Sequence, residues 1–157
     1  IFIHFFTDRL RLLHNVCSHS ITSTPSVISA AAYCAASCWA ASAAVSTEET
    51  GNPVYPPVRR LLAAHGIDCS GKTARTLCRA DYQAFDLLIG MDGSNLRRMR
   101  QICGGDPEQK MSLLGDYRLH PGDIADPWYT GDFERTWLDV QEGCSALLSS
   151  LAASADR

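Results

Sequence analysis

Phe85-Asp86-Leu87-Leu88-Ile89-Gly90-Met91, with Asp92 after it, decides the fold. The run is short, apolar and bounded by turn signals, as a strand buried on both faces of a parallel sheet would be. Asp92 then offers a side-chain cap to a helix running through Asn95, Leu96 and Met99. Downstream, Asp106-Pro107 predicts the cap and first turn of a short helix, and residues 111–114 a second buried strand. Upstream, Pro56-Pro57 opens a helix over residues 58–65 that Gly66 closes, with proline at the start and glycine at the end. Residues 39–46 read as a further short strand leading into a loop at 47–53. The last helix is the clearest. Phe133, Trp137, Val140, Cys144, Leu147 and Leu151 recur at steps of four, three, four, three and four, one apolar stripe on a helix. Strands alternating with helices predict a three-layer α/β domain, a parallel sheet of about four strands with helices on both faces. In such sheets ligands bind beyond the carboxyl ends of the strands.

The chain has 157 residues, enough for one domain with its own core. Its 46% hydrophobic and 20% charged content is ordinary for a soluble globular protein. A formal net charge of −3 without a basic run argues against nucleic acid as a partner. The seven cysteines are odd in number and form no Cys-x-x-Cys pair, which predicts reduced thiols in a cytoplasmic protein rather than a disulfide framework or zinc site. Residues 30–45 are nearly free of charge but shorter than the ~20 apolar residues of a membrane span, so no membrane association is expected. The chain begins at Ile1 rather than Met, which fits a fragment or a misassigned start.

The chemistry is concentrated in Ile124-Ala125-Asp126-Pro127-Trp128-Tyr129-Thr130-Gly131-Asp132-Phe133-Glu134. Proline fixes its own φ and restricts the residue before it, so the Asp126 carboxylate is held on a stiffened turn. The adjacent faces of Trp128 and Tyr129 beside a positioned acid suit a flat aromatic leaving group that needs a proton. The plain structural readings are a turn cap for Asp126, since Asp-Pro is a common turn dipeptide, and a half-buried aromatic pair for Trp128 and Tyr129.

From about residue 42 to 151 the chain resembles the low-molecular-weight protein tyrosine phosphatases. The matching pieces are Ser42-Ala43-Ala44, Gly51-Asn52-Pro53-Val54, His65-Gly66-Ile67, Ala74-Arg75, Phe85-Asp86, Met91-Asp92 with Asn95-Leu96, Leu113-Leu114, and the Asp126 loop with Asp132-Phe133-Glu134. The resemblance implies a phosphotyrosine phosphatase I-like fold. It also implies hydrolysis of phosphotyrosine in proteins, or of small aryl phosphates, through a phosphocysteine intermediate. Neither cofactor nor metal is expected. By resemblance Asp126 protonates the departing phenolate and later activates water, while Trp128 and Tyr129 line the substrate cleft. A free cysteine is only a few per cent ionised at neutral pH, so the nucleophile needs backbone N–H groups at a helix start and an arginine to favour its thiolate.

The family's first loop reads roughly Val-Cys-x-Gly-Asn-Ile-Cys-Arg-Ser-Pro. The nearest segment here is Val16-Cys17-Ser18-His19-Ser20-Ile21-Thr22-Ser23-Thr24-Pro25, which makes Cys17 the candidate nucleophile. Ser23 stands at the arginine position and His19 at the glycine position. Serine has neither charge nor bidentate fork, so the grip on the transition state is expected to be largely lost and catalysis impaired. Residues 1–41 read as an aberrant part of the single domain 1–157. They are either a frameshifted stretch fused to a phosphatase body or the mark of a diverged, inactive relative; the abrupt change of character favours the first.

Two other motifs are weaker than they look. Cys69 and Arg75 satisfy Cys-x5-Arg, and Gly66 to Thr73 satisfies the phosphate-loop pattern of nucleotide-binding proteins. Both need a strand before and a helix after, and a helix precedes them instead. His65 reads as a helix-end residue favoured by the dipole, and His4, His14, His19 and His120 form no metal-spaced set. Arsenate reductases of the same fold carry further cysteines near the end of the central strand, where this chain has Ile89-Gly90-Met91. Arginine-phosphate phosphatases share the architecture too, and a non-catalytic phosphate- or protein-binding module remains the reading from a different class.

Overall fold

The computed structural model describes residues 2–10 and 38–155, with side chains from 41 to 154. Four strands form one sheet: β1 (Phe2–Leu10), β2 (Cys38–Ala44), β3 (Leu87–Gly90) and β4 (Met111–Leu113), in spatial order β2-β1-β3-β4. The helices are α1 (Pro56–Ala64), α2 (Arg79–Ala84), α3 (Gly93–Cys103), α4 (Pro127–Thr130) and α5 (Phe133–Ala155), with a 3₁₀ turn at Leu114–Tyr117.

β3 shows why the sheet must be covered on both sides. Its neighbours in sequence Leu88 and Ile89 are both fully buried and point to opposite faces, as strand alternation requires. Leu88 joins Tyr82, Met99, Cys103 and Met111 beneath α2 and α3. Ile89 joins Met91, Leu114, Cys144 and Leu147 beneath α5. The two clusters are the two interfaces of a three-layer α/β sandwich. The apolar stripe on α5 is confirmed in place: Trp137, Cys144 and Leu147 are buried, and Val140 and Leu151 pack against the core beside them. At Gly143 an added Cβ would stand 2.7 Å from Leu114 Cγ, so this position lets α5 approach the 3₁₀ turn.

The expected helix boundaries hold at α1, with Pro56-Pro57 at its start, and at α3, where Asp92 accepts from the Asn95 N–H at 2.7 Å. Residues 106–110 correct the short helix expected at Asp106-Pro107: they form a turn. The Asp106 carboxylate accepts from the backbone of Lys110 at 2.8 Å and Met111 at 3.1 Å and from the Tyr82 hydroxyl at 2.9 Å. It closes the loop into β4 instead of capping a helix, because so few residues separate it from the strand.

Strand direction is the second difference. β4 runs parallel to β3, and β2 shares their direction, since β1 is antiparallel to both β2 and β3. As a result the carboxyl end of β1, Leu10, pairs with Cys38 at the amino end of β2, while Phe2 pairs with Ala44.

Candidate active site

The Asp126 loop lies at the carboxyl edge of β2, β3 and β4. The backbone N–H of Ile124 donates to the carbonyl of Met91, just past β3, at 2.8 Å, and the Ile124 side chain is buried in the α5-side core. One residue earlier, the Asp123 carboxylate accepts from the Gly93 N–H at 3.1 Å, at the positive end of α3. On the other side, the Thr136 hydroxyl of α5 donates to the Ala125 carbonyl at 3.0 Å. The residue before Asp126 and the two before that are thus tied to three separate elements.

Asp126 caps α4. Its Oδ1 accepts from the Trp128 N–H at 2.9 Å, and its carbonyl accepts from Tyr129 N–H at 3.1 Å. Pro127 supplies the first helical φ and lacks the N–H that would otherwise be unsatisfied there. Gly131, at φ 72°, ends the turn in the left-handed region that glycine adopts without strain. The capping role and the proposed acid role are compatible. One carboxylate oxygen is held by the backbone, and Asp126 is only partly buried, so a ligand can reach the other.

Trp128 and Tyr129 are displayed rather than packed away, with 65% and 84% of their surfaces exposed. The sequence reading missed a third ring. Tyr55, the residue before α1, stands with its ring centroid 5.0 Å from that of Trp128 and 6.3 Å from that of Phe133. Tyr55 sits in the Pro53-to-Pro57 punctuation of the sequence, and nothing in the chain pairs it with a tryptophan so far away. Phe133 is legible as the head of the α5 stripe but not as part of this aromatic group.

Cys17, the candidate nucleophile, lies outside the described residues, as do His19 and Ser23. The Cys69 and phosphate-loop matches fail on context. Asp68 accepts from the Ser70 N–H at 2.8 Å and from its hydroxyl at 2.7 Å in a turn that follows α1, and the next helix, α2, starts only after Arg75. Arg75 grips Asp81 through two bonds of 3.0 Å. His65 follows α1 and stacks on Trp137 with centroids 4.2 Å apart, a packing contact between α1 and α5. Among the described residues no helix is long and apolar enough to cross a membrane, and no group of three metal-ligating side chains is assembled.

The open α/β sandwich thus presents an acid and exposed aromatic rings at its strand-end edge. The profile of the family described as low molecular weight phosphotyrosine protein phosphatase matches residues 30–157, and the chain belongs to that family. The match begins past Cys17 and ahead of the boundary at residue 42 read from the sequence. The phosphatase YfkJ of Bacillus subtilis is 32% identical over 112 residues, 70% of this chain and 72% of its own length. Its crystal structure superposes with a TM-score of 0.68, covering 71% of this chain and 72% of that one at 31% identity. The phosphatase of Gallus gallus is 36% identical over 112 residues, 68% of this chain and 70% of its own. The structure of a Drosophila arginine phosphatase is also similar, at 26% identity and TM-score 0.62, covering 69% and 74%. Members of the family are hydrolases, and their name implies phosphotyrosine-containing substrates.

Proposed function

We propose that the Asp126 loop is the general-acid loop of a cytoplasmic protein-tyrosine phosphatase, that Cys17 is its nucleophile, and that Ser23 leaves the chain impaired. The Cys17 thiolate attacks phosphorus, and the bond to the tyrosine oxygen breaks as Asp126 gives that oxygen its proton. Asp126, now a carboxylate, takes a proton from the water that attacks the phosphocysteine. The P–S bond breaks and phosphate leaves with the thiolate restored. The observation carrying this reading is the placement of Asp126, held at the carboxyl edge with one oxygen capped and two exposed aromatic rings immediately after it.

Trp128 and Tyr129 favour a planar phenyl group over the flexible chain of an arginine phosphate. The absence of a cysteine at Gly90-Met91 counts against arsenate reduction. The non-catalytic binding module has one observation in its favour: β1 ends at the amino edge of the sheet, away from Asp126. Hydrolysis of para-nitrophenyl phosphate separates these readings. The expected result is slow turnover, about a thousandfold below an enzyme with the loop arginine, abolished by Cys17→Ser and lowered by Asp126→Ala. Turnover that survives Cys17→Ser overturns the assignment of the nucleophile; a folded chain without turnover is a phosphatase body without its nucleophile loop, and weak anion binding by that chain favours the binding-module reading.

A further inference from the structure

We propose that Tyr55 is a specificity-determining residue for aryl phosphates, acting by backing the Trp128 indole and holding it ready for a substrate ring. The inference rests on the aryl-phosphate reading of the Asp126 site and adds a residue to it from a different part of the chain. Trp128 projects from a single turn of helix with 65% of its surface exposed, so little besides its neighbours restrains its rotamers. Tyr55 is the ring that meets it, 5.0 Å between centroids with the planes tilted by 59°, a favourable aromatic geometry. Tyr55 is itself anchored. It is the residue before Pro56-Pro57 at the head of α1, its carbonyl accepts from the Arg59 N–H at 3.0 Å, and its ring also meets Phe133 at the head of α5.

The spacing of the two rings leaves no room for a third between them, and 65% of the Trp128 surface stays exposed for a ligand ring. A binding surface fixed before the ligand arrives loses less conformational freedom on binding, and that gain is realised only by a ligand with a ring to stack. Tyr55 therefore discriminates aryl from alkyl phosphates rather than strengthening phosphate binding in general. Its ring, not its hydroxyl, carries the effect.

The test is a phosphorus NMR titration of the full chain with phenylphosphonate and, separately, methylphosphonate. It uses wild type, Tyr55→Ala, Tyr55→Leu and Tyr55→Phe, each checked for folding by circular dichroism. Expected are a three- to tenfold weaker Kd for phenylphosphonate in Tyr55→Ala and Tyr55→Leu, wild-type affinity in Tyr55→Phe, and an unchanged Kd for methylphosphonate. Equal phenylphosphonate affinity in wild type and Tyr55→Ala overturns the role of Tyr55 while leaving the aryl site standing. An equal loss for both phosphonates overturns it as a specificity device. Absence of saturable phenylphosphonate binding in every chain, wild type included, overturns the aryl site itself and this inference with it.

Discussion

The Ile124 backbone N–H and the Met91 carbonyl, 2.8 Å apart, join the loop that carries Asp126 to the end of the central strand β3. This bond fixes the height of the loop above the sheet. The Thr136 hydroxyl, bonded to the Ala125 carbonyl at 3.0 Å, fixes its lean toward α5. The acid is thus positioned by its neighbours in sequence rather than by contacts of its own carboxylate alone.

Thr136→Val removes the second tie while keeping the shape of the side chain. Hydrogen exchange of the amides in residues 124–131 should accelerate, and global stability should fall by only about 1 kcal/mol, the usual worth of one hydrogen bond. Unchanged exchange in that segment would show that Thr136 does not hold the loop.

Arg118, just past the 3₁₀ turn, is the more buried of the two arginines that pair with the carboxylates of α5. It donates to Asp139 at 2.7 Å and to Glu142 at 3.1 Å, whereas Arg135, which also pairs with Asp139, is largely exposed. Arg118→Met leaves the buried Asp139 without its main partner and should cost about 3 kcal/mol in urea denaturation. Arg135→Ala should stay within about 0.5 kcal/mol, since exposed pairs contribute little. Equal costs for the two variants would contradict this ranking.

Asp81 couples the stability of the α2 region to pH. Burial pushes its carboxyl up, but the Arg75 guanidinium and the Cys78 N–H together hold it below its ordinary value near 3.8. A carboxyl with a depressed folded-state pKa contributes stability that is full above the unfolded value and is lost as pH falls through the folded one. Asp81→Asn should therefore lower stability by about 1–2 kcal/mol at pH 7. The gap between variant and wild type should close below about pH 4 in thermal melts. A gap independent of pH would assign the loss to packing instead.

The sequence made the sandwich legible wherever local chemistry and burial agree. Leu88 and Ile89 announce a strand buried on both sides, Asp92 announces a helix start, and the stripe from Phe133 to Leu151 announces α5. Asp106 misled because the same side chain that caps helices also closes turns, and only the nearness of β4 decides between them. The reversed direction of β1 was not legible, because an apolar run carries no polarity and both directions bury the same faces. Within the site, Asp126, Trp128 and Tyr129 are adjacent in sequence and could be read together. Tyr55 reaches Trp128 only through the packing of α1 beside the head of α5, a tertiary contact with no local signature.

In the proposed reading the body from residue 42 onward is a competent phosphatase frame, and the deficit lies in the segment before it. The most direct measurement joins the matching N-terminal segment of YfkJ to this chain at Ser42 and follows para-nitrophenyl phosphate hydrolysis by the chimera. Turnover should rise at least about a hundredfold above the parent chain and be cut by Asp126→Ala by roughly 10²-fold or more. A folded chimera with no turnover, or with turnover indifferent to Asp126, would contradict that reading.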